Sequence, residues 1–147
     1  MAGLLHDGDY CEGVPMERQG VQVAEWAREK AVSTGRQDLD LPENVSHTMA
    51  AHNHLTGVLP ENLMDWTIFM GDSLTGLVVA ATLVLPTKKL ADLTAESVLK
   101  RFKEPSFAKG TRRTDIAMCQ EKIGLSLEEF VKIALTSMQG ISEDLGL

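Results

Sequence analysis

One stretch limits what this chain can fold into. The segment WTIFMGDSLTGLVVAATLVLP, residues 66–86, is apolar almost throughout, yet it holds one carboxylate, Asp72, in its interior. An isolated carboxylate carried into a nonpolar interior costs roughly several kcal/mol even after relaxation. Asp72 must therefore face water, serve a membrane span, or meet a cation. A bilayer requires about 20 apolar residues, and the stretch is about that long. However, Gly71, Asp72, Ser73, Thr75 and Gly76 dilute its middle, the uninterrupted run 77–85 is too short, and no basic cluster adjoins its start. The expected element is a buried central helix over about residues 61–85, closed by Pro86 and apolar all round because other helices surround it. Asp72 then lies deep among helices and needs a partner, and no membrane is expected.

The chain has 147 residues, 44% hydrophobic and 24% charged, with a mean hydropathy of −0.06. These figures describe a soluble globular chain able to bury a core, read as one domain over residues 1–147. Alternating strand patterns are scarce, and the fold class expected is an all-α bundle. MAGLLHDGDY has no basic start and its apolar run ends at His6, unlike a secretory signal. Cys11 and Cys119 lie far apart without CxxC spacing, which suits a reducing compartment, hence the cytoplasm, and argues against a structural zinc site. The net charge of −7 is uneven: residues 88–113 carry eight Lys/Arg against three acids. Overall acidity disfavours a nucleic-acid polymer as partner, while the local basic zone can meet a phosphate.

Helical spacing continues along the chain. The first seven residues read as the last turns of a helix stopped by Gly8. Pro15 opens a second helix to about Val32, with Val21, Ala24, Ala27, Ala31 and Val32 as its stripe. Pro42 opens a short helix ending near AHN. Thr94 caps a helix to about Lys103, and residues 112–123 and 126–145 read as two more, the second begun by an S-x-x-E capping box at Ser126 and Glu129.

The histidines are His6, His47, His52 and His54. His6 and Asp7, adjacent at a helix end, can both reach a common point. Joined to Asp72 they form a mixed N/O set suited to Mn, Fe, Co, Ni, Zn or Mg. His47 and His54, seven apart, share a helical face if the helix persists that far. DGDYCEG lacks the remaining ligands of a calcium loop, and no glycine-rich phosphate loop, G-x-S-x-G elbow or H-E-x-x-H occurs.

The ordered set AGLLHDGDY, then AAHN, then MGDSLTGLV resembles the HD superfamily of metal-dependent phosphohydrolases, closest to its small predicted hydrolases. SVLKRFKEPSFAKGTRR and GLSLEEFVKIALTSMQGISEDLGL extend the likeness over nearly the whole chain, with VSTGRQDLD an apparent insertion. The resemblance implies that His6, Asp7 and Asp72 ligate a divalent metal. His52 matches a position that in some members holds a second metal or contacts substrate, so Asp7 and His52 are the candidate catalytic residues. It further implies hydrolysis of a phosphate ester, such as a nucleotide, by a metal-activated water. Lys88, Lys89, Arg101, Lys103, Arg112 and Arg113 form the basic reservoir for the phosphate of a small substrate.

The family draws its first metal ligand, a histidine, from a helix upstream of the His-Asp pair. Only five residues precede His6 here, so the expectation is an N-terminally short domain with three ligands in view. That leaves self-association open, and with it a second reading: a catalytically silent helical interaction module keeping the fold and a residual metal site or none.

Overall fold

The computed structural model describes residues 1–147. It contains nine α-helices and short 3₁₀ turns, with no strand, which agrees with the all-α expectation. The chain divides into two compact units, Met1–Phe69 and Met70–Leu147, the boundary falling inside its longest helix.

In the first unit, α1 (Ala2–Leu5) and α2 (Val21–Thr34) both pack on α3 (Glu43–Ala51). The helix expected from Pro15 starts later. Pro15 leads only into a 3₁₀ turn, Met16–Arg18, after which Gly20 adopts φ 78° and breaks the path. Gly20 has no side chain to cap α2, so Asp9, 11 residues upstream, does it: Oδ1 accepts from Gly20 N–H at 3.0 Å and Oδ2 from Val23 N–H at 2.9 Å. A carboxylate at a helix N-terminus is favoured by the helix dipole as well. Helix α3 ends at Ala51, and His54 belongs to a separate 3₁₀ turn. His47 and His54 therefore do not share a continuous helix, and the condition on which their seven-residue spacing would place them on one face is not met.

The long helix α4 spans Leu63–Leu83, close to the expected element. Its start is fixed by Asn62, whose Oδ1 accepts from Met64 N–H at 2.9 Å and Asp65 N–H at 3.2 Å. Asp65 is fully buried. It accepts from the Thr48 hydroxyl, from Glu61 N–H at 3.0 Å and from the Asn62 amide at 2.9 Å. The His47 ring stands 3.0 Å away through Nδ1, at an angle unsuited to a hydrogen bond. Burial alone would raise the Asp65 pKa. The Thr48 hydroxyl, the Glu61 N–H, the His47 ring and Asn62 outweigh it, and the net direction is down.

In the second unit, α4 buries Leu74, Leu77, Val78 and Ala81 at 0–2% exposure, a helical i, i+3, i+4, i+7 stripe. Thr75, Gly76 and Leu83 are exposed, so the helix is buried along a stripe, not all round. By length and composition α4 could cross a membrane, but its most apolar face is enclosed by protein, as in a core helix. Helices α5 (Ala95–Phe102) and α7 (Cys119–Ile123) pack on α8 (Leu127–Gln139). Thr94 caps α5, and Ser126 and Glu129 form the expected capping box of α8.

The two C-terminal segments read as single helices are each broken. Residues 112–123 divide into α6 (Arg113–Ile116) and α7, and α8 stops at Gln139 before α9 (Ser142–Leu145). At α6, Arg113 closes the preceding loop. Its guanidinium donates to the carbonyls of Phe102 (2.8 Å), Glu104 (3.1 Å) and Phe107, with longer reaches to Arg101 and Ala108. Two of these are end carbonyls of α5, which have no partner within their helix.

Two predictions follow from these polar anchors. Asp65 is held below its ordinary pKa of 3.8 when folded, so its contribution is complete above the unfolded pKa and disappears as pH falls through the folded value. Asp65→Asn should lower stability at neutral pH by about 2–3 kcal/mol and flatten the loss of stability below about pH 4, measured by urea unfolding across pH. Arg113→Ala should cost about 2–3 kcal/mol in the same assay. Arg113→Lys should not restore it, because an ammonium cannot span several carbonyls as a planar guanidinium does.

Candidate metal centre

Two short helices of the first unit end in the same way. His6 is the C-cap of α1 and His52 the C-cap of α3. Each ring turns back onto its own helix, His6 Nδ1 to Gly3 O at 3.0 Å and His52 Nδ1 to Met49 O. Carbonyls in the last turn of a helix have no intrahelical donor, and a C-terminal histidine satisfies one of them. A carbonyl only accepts, so Nδ1 carries a proton, and in the neutral form of either ring the lone pair is on Nε2.

Packing of α1 on α3 brings the rings edge to face, 4.9 Å apart. Asp7 lies near the Nε2 atoms of both rings, with Oδ2 at 3.3 Å from His6 Nε2 and Oδ1 at 3.5 Å from His52 Nε2. Two nitrogen lone pairs thus face two carboxylate oxygens, an arrangement that repels itself unless a proton or a cation lies among them. Ligands 2.0–2.1 Å from a tetrahedral ion stand about 3.4 Å apart; each ring nitrogen lies near that distance from one Asp7 oxygen, but from a different oxygen in each case. One ligand atom from each of His6, Asp7 and His52 falls within 4.8 Å of the others. The group is geometrically able to hold a metal ion.

Burial is asymmetric. The His52 side chain is 4% exposed, His6 18% and Asp7 54%. His52 is buried, His6 is partly exposed, and the carboxylate borders solvent. A three-ligand set with an open side is the form that catalytic metal sites take.

Asp72 belongs to the second unit. Its side chain is 33% exposed, and Oδ2 lies 3.6 Å from Arg112 Nη2. The expectation that it lies deep among helices is corrected; partial exposure and a cation lower the cost of the charge within α4. The fully buried acid of that helix is Asp65, which the sequence analysis passed over. The signal was present: N-L-M-D at residues 62–65 has the N-cap and N3 spacing of a capping box.

The basic reservoir divides by contact. Arg113 is committed to backbone carbonyls, which replaces its reading as a phosphate ligand. Arg101 pairs with Glu104 at 2.7 Å and lies 4.8 Å over the Phe107 ring, so it is tied into the same loop. Arg112 pairs with Asp115 at 2.8 Å. Lys88, Lys89 and Lys103 are exposed. Loop residues 108–112 border an open cleft of about 350 Å³ against Asp72, Ser73 and Gly76, with Lys109 at its rim.

Compared with models of protein families, with curated proteins and with solved structures, the chain matches none.

Proposed function

We propose that this chain is a metal-dependent phosphohydrolase of the HD type, hydrolysing a small phosphate ester, such as a nucleotide. The observation that supports this best is the convergence of His6, Asp7 and His52 with both Nε2 lone pairs directed at the Asp7 carboxylate. His6, Asp7 and His52 would hold a divalent cation, which when bound would lower the pKa of a bound water and polarise a phosphoryl oxygen. His6 and His52 keep their tautomers through the Gly3 and Met49 carbonyls. Asp7, at the solvent side, offers a carboxylate oxygen that accepts a proton from the attacking water. The HD resemblance assigns Asp72 as a further ligand of the ion, an assignment that rests on the sequence pattern. Lys88, Lys89, Lys103 and Arg112 are carried forward as groups that neutralise substrate phosphate. Cys11 and Cys119 are free thiols, which supports placing the protein in the cytoplasm.

Manganese or nickel at about 100 times its dissociation constant should stabilise the parent by about 2.7 kcal/mol, a rise in Tm of a few degrees. The shift should vanish in His52→Ala and Asp72→Ala. Turnover of p-nitrophenyl phosphate or a nucleoside monophosphate should fall at least about 100-fold in Asp7→Ala. A full Tm shift in Asp72→Ala removes Asp72 from the ligand set. Metal binding without turnover on any phosphate ester favours the silent interaction module. A parent without any metal response overturns the reading.

A further inference from the structure

Two buried polar residues flank the metal group in sequence and meet on a third segment. Asp9 follows His6 and Asp7, and Asn53 follows His52. Asp9 is 0% exposed, Asn53 6% and Gln19 4%. Asp9 holds Gly20 N–H and Val23 N–H at 3.0 and 2.9 Å. The Asn53 amide donates to Met16 O at 2.8 Å and Gln19 Oε1 at 3.1 Å, while its own oxygen accepts from Leu55 N–H at 3.0 Å. Both flanks of the ion group are therefore tied to the segment Met16–Gly20.

The same segment presses on His52 by a second route. A Cβ at Gly20 would lie 1.9 Å from Met49 O and 2.5 Å from Met49 C. Met49 O is the carbonyl that receives His52 Nδ1. The glycine lets the 16–20 backbone seat against the peptide that sets the His52 ring, and φ 78° keeps it there.

We infer that Asp9, Gln19, Gly20 and Asn53 are positioning residues of the metal centre, a brace that ties the His6-Asp7 arm and the His52 arm to one turn. This rests on the metal reading for its function. The contacts themselves predict something further: the brace selects the Nδ1–H tautomer of His52 and holds Nε2 free. Groups behind metal-ligating histidines ordinarily change metal affinity about 10–100-fold when removed.

The test is manganese affinity, by calorimetry on the full chain, for the parent, Asp9→Asn, Asn53→Ala and Gln19→Ala. Ser33→Ala, at the far end of α2, serves as control. Affinity should fall about 10–100-fold in Asp9→Asn and Asn53→Ala, several-fold in Gln19→Ala, and not at all in Ser33→Ala. Nitrogen shifts of His52 should show one tautomer in the parent and a mixture in Asn53→Ala. If Asp9→Asn and Asn53→Ala do not fold, Gln19→Ala carries both readouts, since it removes a single partner of Asn53. Unchanged affinity together with an unchanged tautomer in the folded variants overturns the brace. If the parent binds no manganese, the metal reading fails, and the tautomer alone decides the brace: mixed in the variant upholds it, identical in both defeats it.

Discussion

The candidate site depends on a shared local device, a histidine at the end of a short helix bonded through Nδ1 to a carbonyl of its own last turn. That bond satisfies a carbonyl the helix leaves open and fixes which ring nitrogen keeps its lone pair. Used once, it is a helix cap. Used by His6 and His52 on two helices packed side by side, it directs two lone pairs at the carboxylate next in sequence to one of them. The repulsion among these three groups is what a bound cation would relieve, so the capping of the helix ends and the proposed metal centre share one structural origin.

The long apolar helix keeps two carboxylates by different means. Asp65 is enclosed completely and stays ionised because the Thr48 hydroxyl, the Glu61 N–H and the Asn62 amide supply hydrogen bonds that outweigh desolvation. Asp72 keeps a third of its side chain in water and has a guanidinium nearby. A charge inside an apolar run is thus no sign of a membrane pathway, and both cases show how hydrogen bonding or partial exposure lets an acid sit in a core helix.

Much of the architecture was legible in sequence where local signals are strong. The apolar run forced a long helix, which ends at Leu83, slightly before the end expected from Pro86, and the Thr94 and Ser126 caps set the starts of α5 and α8. Boundaries failed where distant residues decide them. Pro15 is a sound helix opener by local rules, but α2 waits for Gly20 because Asp9 caps it from a loop. The condition for a shared face of His47 and His54, a helix that persists that far, is not met because α3 ends at Ala51. His6, Asp7 and His52 could be nominated from the ordered pattern. The approach of the two rings to Asp7 and the bracing by Asp9, Gln19 and Asn53 require tertiary contacts that no periodicity encodes. Arg113 was misread for the same reason: a cation in a basic zone looks available until the carbonyls it gathers are seen.

The most direct test of the central claim is the metal content of the untagged protein, purified without chelator and measured by mass spectrometry. The account predicts close to one divalent transition metal per chain. Protein that carries none, even after incubation with manganese or nickel and removal of the excess, would contradict it.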